Sequence, residues 1–102
     1  MGVEFRLLLK SELETDEIET FLQAIETDGS VFEPRRTGPG ALSCLISPPT
    51  SPHEWRDVDI DVSETEVFVL VSWATGDDAT TLIDRLAGVL HSMGHRTTIE
   101  EP

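Results

Sequence analysis

The chain has 102 residues, with 20 acidic against seven basic side chains, a formal net charge of −13, 38% apolar residues and 26% charged ones. A chain of that length forms one domain and buries about 65% of its unfolded surface, enough for a single core, and its apolar content excludes wholesale disorder. So acidic a surface repels nucleic-acid phosphates and anionic lipid, excludes both as expected partners, and favours a basic protein.

The start, Met1-Gly2-Val3-Glu4-Phe5-Arg6, lacks the basic segment and apolar stretch of a secretory signal, and Arg6 stands where myristoylation wants Ser or Thr. No apolar run is long enough to span a bilayer. Cys44, the single cysteine, lies in the apolar run Leu42 to Ile46. It reads as a buried, inert thiol of a reducing, cytoplasmic compartment.

In chain order, Val3 to Leu9 alternates as a first strand, with Val3, Phe5, Leu7 and Leu9 on one face. Asp16, with Glu19 three residues on, predicts a capped helix whose apolar stripe is Leu13, Ile18, Phe21, Leu22 and Ile25, closed by Gly29. Glu26 and Asp28 fall at the negative end of that helix, a small penalty that hints at selection for acidity itself. Ser30 to Arg36 reads as a strand kept to an edge by Pro34, Thr37-Gly38-Pro39-Gly40 as a turn, and Ala41 to Ser47 as an apolar strand. Three prolines within 48–52 then enforce a stiff loop that leads to His53-Glu54-Trp55-Arg56.

The stretch from Asp57 to Ala74 carries the plainest pattern. Asp57, Asp59 and Asp61 alternate with Val58, Ile60 and Val62, the mark of a strand with one wet face. Val67 to Val71 is apolar throughout, the mark of a strand buried on both faces, and Ser63-Glu64-Thr65 joins the two as a hairpin. A second helix, capped by Asp77 or Asp78 and ended by Gly94, presents Ala79, Leu82, Ile83, Leu86, Leu90 and Met93 on one face. Arg96 to Ile99 is a last short strand.

The order β-α-β-β-β-β-α-β, read as a single domain over residues 1–102, predicts an α+β fold with one mostly antiparallel sheet and two helices on one face. In element order it resembles the ferredoxin-like α/β plait with an extra hairpin. That likeness implies a fold and no function.

Chemistry is sparsely marked. There is no phosphate-binding glycine loop, no cysteine pair and no nucleophile elbow, so the reading is of a binding protein rather than an enzyme, without cofactor or metal. His91 and His95 are four apart, but Gly94 ends the helix between them, and Arg35-Arg36 is expected to pair within the acidic surface. The concentrated feature is the acid strip. Asp57, Asp59 and Asp61 would accept arginines of a basic partner, Glu54, Glu64 and Glu66 would form a steering rim, and Trp55 would anchor. Solvation and edge protection by the same acids is the plainer alternative. Phe68, Leu70 and Leu8 would lie on the sheet face away from the helices, to be covered by the proline loop, by a second copy or by a partner.

These features together describe a small acidic cytosolic inhibitor of a basic toxin, an immunity protein or antitoxin. A salt-adapted homo-oligomeric domain is the second reading. A small ligand-binding regulatory domain, with a pocket near Trp55 and Trp73, is the third.

Overall fold

The structure, a computed structural model, describes residues 3–28, 31–45, 58–72 and 76–100, with side chains from 79 onward in the last segment. Its elements are β1 (Val3–Leu9), α1 (Thr15–Thr27), β2 (Phe32–Gly38), β3 (Ala41–Leu45), β4 (Val58–Val62), β5 (Glu66–Val71), α2 (Gly76–Ser92) and β6 (Thr97–Glu100). Six strands form one sheet in the order β2-β3-β4-β5-β1-β6, and every adjacent pair is antiparallel. The α+β architecture and the element order are those the sequence predicts.

The topology extends the likeness to the plait. β5 and β6 run parallel with β1 between them, so α2 closes a split βαβ unit. β1 and β4 also run parallel with β5 between them, but α1 leads first to the β2–β3 hairpin, which is inserted before β4. The β2–β3 hairpin widens the sheet beyond β4.

Period-2 alternation sorts the two faces. Phe5 and Leu7 of β1, Leu42 and Cys44 of β3, Val58, Ile60 and Val62 of β4, and Val67, Val69 and Val71 of β5 point to the helices. They join Phe21, Leu22 and Ile25 of α1 and Leu82, Ile83, Leu86 and Leu90 of α2 in one buried cluster. Cys44 is fully buried there, as its apolar run predicts.

Several local expectations are corrected. α1 begins with Glu14 as its cap rather than Asp16: Glu17 Oε1 accepts the Glu14 N–H at 3.0 Å. Asp16 sits in the first turn, where its charge still favours the positive helix end. Glu26 and Asp28 are not retained against local stability. Arg36 of β2 reaches Glu26 at 2.6 Å and Glu19 at 2.8 Å, and Arg85 of α2 reaches Asp28 at 3.4 Å. Both acids are therefore ion-pair partners that tie α1 to the sheet and to α2, and they say nothing about selection for acidity. Gly29, expected to close the helix, lies outside the described residues.

β2 runs two residues later than expected, with register shifts between Phe32 and Arg35 and between Arg36 and Gly38. Glu33 adopts φ 49° beside the first of these. The β4–β5 hairpin lacks Gly or Asn because Ser63 closes it: its N–H donates to Glu66 O at 2.9 Å and its hydroxyl accepts the Glu66 N–H at 3.2 Å. α2 begins at Gly76, so Asp77 and Asp78 fall within its first turn instead of capping it. Its end is as expected, with Gly94 at φ 91° and the His95 N–H donating to Leu90 O at 2.9 Å.

Candidate partner-binding face

With both helices on one side, the opposite face of the sheet carries no helix. At its β3 end Ser43 and Leu45 are buried, toward β5 and β1 it is more exposed, and the strand registers place its residues. One cross-strand row reads Ser43, Asp59, Leu70, Glu4; the next reads Ala41, Asp61, Phe68, Arg6, Glu100; a third reads Glu66, Leu8, Thr98. Phe68 and Leu70 are half-buried and Leu8 is 37% exposed, so a short apolar ridge runs along β5 and β1. Asp59 and Asp61 of β4, Glu4 of β1 and Glu66 of β5 border it, with Arg6 beside Phe68 and Thr98 beside Leu8.

The two described members of the acid strip are not equivalent. Asp59 is half-buried, and its Oδ1 accepts the hydroxyl of the buried Ser43 at 2.5 Å. The strand alternation cannot reveal that bond, because Ser43 comes from a different strand and an apolar run. Asp61 is exposed. Glu66 lies 4.0 Å from Arg6 Nε, and its Oε2 is shielded from water without a hydrogen bond. Arg6 also stands 5.7 Å above the Phe68 ring, a cation–π contact at the middle of the ridge. Glu64 is exposed at the hairpin tip, where its carbonyl oxygen accepts the Leu13 N–H at 2.8 Å. The structure thus brings Asp59, Asp61 and Glu66 together on one face, with Glu64 at its end. Asp57, Glu54 and Trp55 lie outside the described residues, as does Trp73.

Glu4 and Glu100 join this face although the acid strip of β4 alone does not point to them. The alternation of β1 holds the signal for Glu4, since Glu4 falls opposite in phase to Phe5 and Leu7. Glu100 needs the β1–β6 register, which places it beside Arg6.

Comparison with protein-family models, curated proteins and solved structures finds no match to this chain. The face is therefore judged on its own chemistry.

A second polar group joins the end of β1, the start of α1 and the end of α2. His95, 7% exposed, holds Glu17 Oε2 at 2.7 Å through Nε2 and Ser11 Oγ at 2.9 Å through Nδ1. An ionised carboxylate only accepts, so Nε2 carries the proton, and in the neutral ring Nδ1 accepts from the Ser11 hydroxyl. The Glu14 N–H and, after it, the His95 ring hold the Glu17 carboxyl below its ordinary pKa. Serine, histidine and carboxylate in series also occur in hydrolases. Here Glu17 is shared with the first turn of α1, and the open cleft nearby is lined by Lys10, Ala87, Gly88, His91, Arg96, Thr97 and Thr98, not by Ser11 or His95. The group acts as a tie between the ends of β1 and α2 and the start of α1.

Among the described residues, no three His, Cys, Asp or Glu side chains converge as a metal site, and no helix is long and apolar enough to cross a membrane.

Proposed function

We propose that the open sheet face binds a basic protein, and that the chain is a small cytoplasmic inhibitor of a cationic toxin, of the immunity-protein or antitoxin class. One observation carries the reading: an apolar ridge of Phe68, Leu70 and Leu8 is framed by Glu4, Asp59, Asp61, Glu66 and Glu100 on a face that neither helix covers. Such a border suits arginines and lysines around an apolar contact. The long-range field of a −13 chain speeds the encounter, and the ridge supplies the burial that holds the complex. Asp61, exposed and without a hydrogen bond or ion pair among the described residues, is the leading arginine acceptor. Asp59 offers its second oxygen, and Glu64 steers from the hairpin tip. Asp57, Glu54 and Trp55 belong to the same proposal by sequence.

Capture of partners from the source cell at low salt tests this reading. The native chain should retain a basic protein that D59N/D61N loses. E12K changes the net charge by the same two units in the segment between β1 and α1, outside the acid rows of the sheet, and should retain it. Equal retention by all three chains would remove the face from the proposal.

A further inference from the structure

β6 ends the sheet, and its outer edge is free of strand partners among the described residues. The Lys10 N–H donates to Arg96 O at 3.1 Å, so Arg96, and by alternation Thr98 and Glu100, turn their backbone groups toward β1. Thr97 and Ile99 therefore turn theirs outward. Ile99 is 38% exposed, one of three large apolar side chains so open among the described residues. Beside this edge lies the open cleft of about 590 Å³ between α2 and β6. It gathers the only lysine of the chain, Lys10, with Arg96. Neither has an ion pair among the described residues, whereas Arg6, Arg36 and Arg85 each face a carboxylate.

We propose that β6 is the seam of a two-fold homodimer, in which two copies pair antiparallel about Thr98. The sequence Arg96-Thr97-Thr98-Ile99-Glu100 is self-complementary in that register. Arg96 meets Glu100 of the second copy, and Glu100 meets its Arg96, with Lys10 alongside. The outward backbone groups of Thr97 meet those of Ile99, so the register that pairs the charges also satisfies the edge. A two-fold axis normal to the sheet leaves both helix layers on the same side and sets the two α2 helices antiparallel. The stripe of α2 that borders the cleft is self-complementary too. Centred between Ala87 and Gly88, it sets Asp84 against His91 of the second copy, and small residues against small residues at the crossing. Both centres, Ala87/Gly88 and Thr98, line one cleft, so a single axis serves strand and helix together.

Gly88 fits the same account. Glycine inside a helix is unfavourable, and a Cβ there would meet nothing within 4 Å of its own chain. Among the described residues nothing in the monomer calls for it, and a close helix crossing does.

Sedimentation velocity of the full chain at about 0.15 M salt, where charge repulsion between copies is screened beyond ~8 Å, tests the seam. The native chain should sediment at twice the chain mass. R96E and E100R should each be monomeric, with dimer Kd raised at least about tenfold by like-charge contact. A 1:1 mixture of those two variants should restore the dimer, because each then meets its opposite charge. G88Q should be monomeric while remaining folded, with a melting temperature that no longer depends on protein concentration. A native chain that stays monomeric up to about 1 mM would overturn the proposal. So would an R96E chain that still dimerises, or a mixture of folded variants that stays monomeric.

Discussion

A Cβ added at Gly40 would lie 2.6 Å from the carbonyl oxygen of Val62, in the turn where Gly40 O accepts the Val62 N–H at 2.7 Å. The obstacle is backbone and cannot swing aside, so G40A is expected to cost about 1–3 kcal/mol in urea unfolding. Glu17 and Glu19 are sensitive residues of another kind. In the fold, the Glu14 N–H and His95 hold the first below the ordinary carboxylate value of 4.5, and Arg36 holds the second there. The unfolded chain then takes up protons before the folded one does. The stabilisation is complete above the ordinary glutamate range and is lost as pH falls through the lower folded values. E17Q removes its share, so melting temperature plotted from neutral pH to about pH 3 should start lower and fall less steeply than for the native chain. A parallel curve would show that the His95 tie contributes nothing to acid stability. Such ties are hard to read from sequence: Ser11, Glu17 and His95 are joined only by the folded chain, and no spacing rule links them.

At the scale of elements, much was legible. Alternation in β4 predicted the two faces of the hairpin, because burial on one side of a sheet imposes a period of two. The apolar run of β5 predicted burial on both faces, whereas Phe68 and Leu70 are only half-buried. What escaped was set by pairings between elements. Glu26 and Asp28 look misplaced on an isolated helix and are explained only by Arg36 and Arg85 arriving from β2 and α2. The start of α1 moved for the same reason, since Glu17 is held at once by the Glu14 N–H and by a histidine after α2. The two faces of the β4–β5 hairpin should separate in experiment. I60A removes a fully buried side chain from the helix side and should cost about 2–5 kcal/mol. L70S, on the open side, should cost about 1 kcal/mol or less in stability and weaken partner capture instead. A chain in which both changes cost the same stability would mean that the open face is part of the core.

For the whole molecule, net charge is the shared input to two accounts. If the −13 serves a high-salt cell, the acids repel one another at ordinary salt and stability should climb steeply toward molar KCl. The binding account predicts a shallow climb instead, because Arg6, Arg36 and Arg85 already pair with acids on both sides of the molecule and the remaining charge is aimed outward. The placement of the acid strip was readable from β4 alone, but its framing by Glu4 and Glu100 required the sheet order that sets β1 and β6 beyond β5. The central claim is that this framed face, rather than overall charge, meets the partner. Its most direct test is the association rate of the captured basic protein with the native chain, D59N/D61N and E12K at matched ionic strength. The account predicts a loss of roughly tenfold for D59N/D61N and little change for E12K. Equal rates for the two variants would contradict it.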